Sequence, residues 1–136
     1  MAYESPAFNV GIFQASTSFA STDQYCFVTL STTVNSPPDV RIVATSGVMV
    51  FGVYQGAACS SGDACDVMVA GVSKLRFSST HAAVAVMDRI YSRDNGTGNS
   101  GTTESFNIAA LALEGLAVDT SGIISVLLTP QGAGSS

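Results

Sequence analysis

Tryptophan is absent from this 136-residue chain, histidine occurs once, and lysine and arginine together number five. Charged residues make up 11%, well below the ~25% of ordinary soluble domains. Each scarcity excludes something. Five cations make no basic stripe, and phosphate contacts need clustered positive charge, so no nucleic-acid partner is expected. Arg89 and Arg93 stand beside Asp88 and Asp94, while Lys74 and Arg76, two apart, fall on one face of a strand. The sole histidine, His81, sits in a turn-like stretch. Ser78, Ser79 and Asp88 are near it only in sequence, which does not define a catalytic triad, and no G-x-S-x-G elbow is present. No enzyme activity is expected, and no cofactor.

Long apolar runs are missing too. The richest stretches, 40–59 and 108–118, are broken by Gly, Ser, Thr or Glu and fall short of the ~18 residues of a membrane span. The opening Met1-Ala2-Tyr3-Glu4-Ser5-Pro6 lacks the basic start and apolar run of a secretory signal. Cysteine occurs three times. An odd count without a signal predicts free thiols in a reducing compartment. Cys59 and Cys65 allow a disulfide in principle, but five intervening residues fit neither a redox CxxC nor a zinc pair. Asp63 and Asp66 beside these cysteines form a cluster without histidine, and Asp63 is explained as the turn partner of Gly62, so no metal is expected. Gly96-Thr97-Gly98-Asn99-Ser100-Gly101 spells G-x-G-x-x-G in a polar stretch without strand–helix context, which makes it a chance match.

What is present is apolar residue in short, punctuated runs. Hydrophobic residues make up 46% and the net charge is −5. The length predicts one domain, able to bury a core without staples. Few charges leave a surface of Ser, Thr, Asn, Gly and Ala, suited to being covered by neighbours or simply neutral. From Phe8 the chain alternates, with Phe8, Val10 and Ile12 on one side, which predicts a strand or an extended arm over residues 1–13. Tyr25–Leu30, Val40–Ala44, 48–54, Val67–Phe77 and Ile123–Leu128 predict strands, the last stopped by Pro130. Ala82–Met87 reads equally as a short helix or a buried strand. Gly52 and Gly71 interrupt strand patterns, as glycines do at bends or close backbone approaches. Residues 92–105 predict a long polar surface loop, and residues 131–136 a frayed tail. About eight short strands, with turn signals near every ten residues, predict an all-β fold, a compact small barrel or sandwich occupying residues 14–130.

The ordered features form a pattern: an aromatic N-terminal segment with Phe8, then Tyr25-x-Phe27-Val28-x-Leu30, Phe51-Gly52-Val53-Tyr54-Gln55, Gly62-Asp63, and Val69-x-Gly71-Val72-Ser73-Lys74. Ala112-Leu113-Glu114-Gly115 follows, ahead of Gly122–Leu128 and Pro130. This resembles the small capsid decoration, or cement, proteins of tailed bacteriophages. The likeness covers nearly the whole chain and rests on order and spacing. Met87-Asp88-Arg89-Ile90 departs from it by replacing a Gly-Asp turn, and residues 92–105 look like an insertion. The resemblance implies a β-tulip-like barrel, assembled in the host cytoplasm. It implies binding to the exterior of the mature capsid as a homo-oligomer, a trimer, with the major capsid protein as partner and no membrane. Tyr3, Phe8, Val10, Ile12 and Phe13 are then the expected capsid-binding residues, the segment adding to a strand edge on the shell and its aromatics filling pockets. The competing reading for 1–13 is a strand of the domain's own sheet. Other readings are a different phage virion component (a head-fibre base or tail ornament) and a carbohydrate-binding β-sandwich. The missing tryptophan counts against the last.

Overall fold

A computed structural model gives the architecture of residues 13–31, 38–101 and 106–132. Among these residues the chain forms eleven strands and one short 3-10 turn, Ser21–Asp23. The expected all-β class is observed, as two sheets.

The first sheet has the order β5-β1-β3-β2-β4-β6. Its strands are β1 (Phe13–Ala15), β2 (Phe27–Leu30), β3 (Asp39–Ile42), β4 (Gly52–Tyr54), β5 (Ala64–Cys65) and β6 (Val67–Met68). Its two outermost strands, β5 and β6, are separated in sequence by Asp66 alone. Adjacent Cα atoms lie about 3.8 Å apart, so one residue carries the chain from one edge of the sheet to the other. The sheet is thereby curled into a nearly closed barrel. The second sheet, β7-β11-β10-β8-β9, is antiparallel throughout. It contains β7 (Gly71–Phe77), β8 (Arg89–Ser92), β9 (Gly98–Ser100), β10 (Ile108–Ala112) and β11 (Gly122–Gly132).

Side chains alternate across a strand, and this sorts the core in two. In β2, Phe27 faces the second sheet and Val28 the barrel interior. In β4, Val53 and Tyr54 divide the same way. The barrel interior holds Phe13, Phe19, Val28, Val40, Tyr54, Cys65 and Val67. Phe27, Leu75, Phe77, Ile90, Ala110, Ala112 and Val126 fill the layer between the sheets. Tyr25 links the two layers. At φ 66 it turns the chain ahead of β2, its N–H donates to Tyr54 O at 2.7 Å, and its carbonyl accepts from Arg76 N at 2.8 Å. That turn is why the strand expected from Tyr25 begins at Phe27.

Several expectations need correction. Val67–Phe77 is two strands. β6 belongs to the barrel and β7 to the second sheet, with Val69–Ala70 crossing between them and Gly71, at φ 92, redirecting the chain. Within the expected loop 92–105, Gly98–Ser100 form a strand paired with β8, and residues 102–105 lie outside the described residues. Gly98 lies so close to Phe77 and Leu75 that a Cβ there would sit 2.7 Å and 2.8 Å from their side-chain atoms, so the lack of a side chain brings this polar strand onto the core. Ala82–Met87 forms no helix, and Val84 makes an isolated antiparallel bridge to Leu116. β11 runs through Pro130 to Gly132. Pairing with β7 ends at Leu128↔Gly71, and the β10 register shifts between Ile108 and Ala110. The proline therefore falls where a missing N–H disturbs least.

Candidate functional site

Of the residues expected to contact a capsid, Tyr3, Phe8, Val10 and Ile12 lie outside the described residues. Phe13 opens β1. It is buried, with its ring edge-on to Phe51 at 4.9 Å between centroids.

A different surface stands out, on the outer face of the second sheet. Inward positions of β11 (Ile124, Val126, Leu128) and β7 (Ser73, Leu75, Phe77) are buried, so Ile123, Ser125, Leu127 and Val72, Lys74, Arg76 point outward. The register aligns them across four strands. Val72 pairs with Leu127, Leu127 with Leu111, and Leu111 with Arg89. At about 4.8 Å between strands, this row is about 14 Å long. Beside it Lys74 pairs with Ser125, and Leu113 N–H donates to Ser125 O at 3.0 Å. Arg76 pairs with Ile123. Val72, Met87, Leu113, Ile123 and Leu127 are between 37% and 63% exposed. These five are a majority of the nine large exposed hydrophobics among the described residues. Scattered exposed apolars need no explanation, but a contiguous set marks an interaction site.

Charge flanks the apolar row. Three of the chain's five cations, Lys74, Arg76 and Arg89, occupy its margins. Lys74 Nζ lies 5.6 Å from the centre of the Tyr25 ring, and Arg76 Nε donates to Gln24 O at 3.0 Å. At the end of β10 the Glu114 carboxylate accepts the Ser125 N–H at 2.6 Å, and this hydrogen bond holds its pKa below the usual carboxylate value. A shallow depression lined by Met87, Asp88, Arg89, Ser100 and Gly101 adjoins the face on its β8 side.

Lys74 and Arg76 fall on one strand face from the sequence alone. The rest of the face is hidden there, because Leu111 and Leu127 become neighbours only through register. The alternation Val72-x-Lys74 and Ile123-x-Ser125-x-Leu127 was the available signal.

His81, expected to be an unremarkable turn residue, is buried. Its ring nitrogens lie 2.6 Å from Ala82 O and 2.7 Å from Thr120 O, and its ring stacks edge-on with Phe77. Both nitrogens face main-chain carbonyls, so neither is turned to a serine hydroxyl. The ring clamps the 81–84 segment to the turn at Asp119–Thr120. All three cysteines are free. Among the described residues no three His, Cys, Asp or Glu side chains converge on a metal-sized site, and no helix is long and apolar enough to cross a membrane.

Neither a protein-family model nor a curated protein matches the chain. Among solved structures, the chain is similar to the N base of the head fibre protein gp8.5 of bacteriophage phi29. The two share 13% sequence identity with a TM-score of 0.60, over 85% of this chain and 89% of that one. At this identity the likeness establishes a shared fold.

Proposed function

We propose that this protein is a structural component of a bacteriophage virion, attached to the outside of the capsid. The observation that carries the reading is the fold, shared along nearly the whole length with the base of a phage head fibre. The order of sequence features resembling capsid decoration proteins points the same way, and so does the surface poor in charge. The role is mechanical, not catalytic. The major capsid protein is the partner, and assembly takes place in the host cytoplasm.

The apolar row of the second sheet is the docking face. Its few charges keep desolvation costs low at the centre, and its marginal cations select a shell surface with an acidic rim. The segment 1–13 adds a second contact through Tyr3 and Phe8, and self-association into a trimer multiplies individually weak contacts. Two attachments fit this description. A decoration subunit saturates the lattice at a fixed ratio to the major capsid protein, as the sequence resemblance favours. A head-fibre base occupies a few sites, as the shared fold favours.

Co-sedimentation with mature capsids of the source phage, stripped of this protein, tests the reading, with unexpanded proheads as control. Saturable binding to mature shells is expected, and its stoichiometry separates decoration from fibre base. Phe8→Ala is expected to weaken that binding while leaving the circular dichroism spectrum unchanged. No binding to either shell overturns the capsid role.

A further inference from the structure

The segments 13–19 and 59–65 run antiparallel to one another. Phe13 pairs with Cys65, Gln14 with Ala64, and Phe19 with Cys59. Between the two cysteines the chain makes a tight turn. Asp63 N–H donates to Ser60 O at 3.0 Å, the Asp63 carboxylate accepts Ser60 N–H at 2.9 Å, and Gly62 takes φ 88. An extended seven-residue stretch would hold Cys59 and Cys65 about 20 Å apart. The turn instead folds them onto the same barrel-interior cluster, Cys65 within it and Cys59 packed against it. Cys59 is among the neighbours that act on the Cys65 thiol, which itself donates to the Asp63 carbonyl at 3.7 Å. The Cys26 thiol lies elsewhere, 3.6 Å from the Thr22 carbonyl.

We infer that Cys59 and Cys65 form a dithiol that closes to an intramolecular disulfide on meeting a low-molecular-weight disulfide such as oxidised glutathione. Cys65 is 1% exposed and Cys59 is half-buried, so Cys59 meets the oxidant first. Its thiolate attacks one glutathione sulfur, the S–S bond breaks, and one glutathione thiolate leaves and takes a proton from water. Cys65 then gives its proton to solvent and attacks the Cys59 sulfur, and the second glutathione departs as the thiol. Two cysteine thiols are oxidised by two electrons, and one glutathione disulfide is reduced to two thiols.

Burial first, and then the neighbouring Cys59, push the Cys65 thiol up to about 12. The second step is therefore slow at neutral pH and quickens in alkali, because the thiolate is the attacking form. The bond is absent in a reducing cytoplasm and forms after release into an oxidising medium. It closes the 59–65 turn beside β5 into a covalent ring.

Trypsin separates the residues cleanly, because the peptide 42–74 carries both cysteines while Cys26 lies in 1–41. The full-length protein is reduced, desalted, incubated folded with oxidised glutathione, then denatured, alkylated and digested. Peptide 42–74 is expected to lose two hydrogens and take no alkyl group, and Cys26 to take one. The oxidised protein is expected to melt about 5–10 °C higher. Cys65→Ser is expected to stop at one glutathione adduct on Cys59. Two alkyl groups or two glutathiones on 42–74, a link through Cys26, or a covalent dimer overturns the inference.

Discussion

The Glu114 carboxylate accepts the backbone N–H of Ser125 at 2.6 Å, taking up the β11 ladder where β10 stops at Ala112. A side chain thus does the work of the next strand residue. The bond favours the ionised form and lowers the pKa. Stability from a depressed carboxylate is present above its unfolded pKa and is lost as pH falls through the folded one. Glu114→Ala is expected to lower the Tm at pH 7, and the gap to wild type should close in acid. A gap constant from pH 7 to pH 3 would count against the assignment.

The Cys26 thiol is pushed up to about 12, first by burial and then by Asp23. The folded state holds this proton more tightly than the unfolded chain, whose thiol titrates near 9.0. The sign is therefore a loss of stability as pH rises from about 9 toward 12, with a slope of roughly 1.4 kcal/mol per pH unit for this group. Thermal melts of wild type and Cys26→Ala across that window check it, the variant showing the shallower decline.

A Cβ on Gly52 would lie 2.5 Å from Met68 O and 2.6 Å from Val67 Cγ1, both on the strand paired with β4. Neither backbone nor β-branched side chain yields easily. Gly52→Ala is expected to cost about 1–3 kcal/mol in urea unfolding, whereas Gly62→Ala meets no atom within 4 Å and is strained only by its φ of 88°.

Val72→Lys with Leu127→Lys places charge in the exposed row without touching the core. Stability is expected to hold within about 0.5 kcal/mol per substitution, while capsid co-sedimentation falls at least tenfold. A fall in the Tm to match the lost binding would mean that the face is structural.

Periodicity carries part of the fold. Val40–Ala44 and Ile123–Leu128 announce strands, whereas the division of Phe27 and Val53 from Val28 and Tyr54 into two clusters shows only in the folded chain. What stayed hidden depends on long-range pairing. β9 is Gly98-Asn99-Ser100, without one apolar residue. Its inward turn comes from Phe77 and Leu75, some twenty residues earlier. The crossing at Val69–Ala70 was masked because apolar residues run straight through it. Of the candidate site, the outward apolar positions were visible one by one, and their union into a row required the register of β7, β11, β10 and β8.

The single residue between β5 and β6 has a consequence for how the barrel breathes. β5 is held to β1, near the start of the described chain, and β6 to β4, yet Asp66 ties the two together. Neither edge strand can peel away without pulling on the other. Amide protons on both sides of the seam should therefore exchange as one cooperative unit, with a common opening free energy, although the strands they pair with lie some forty residues apart.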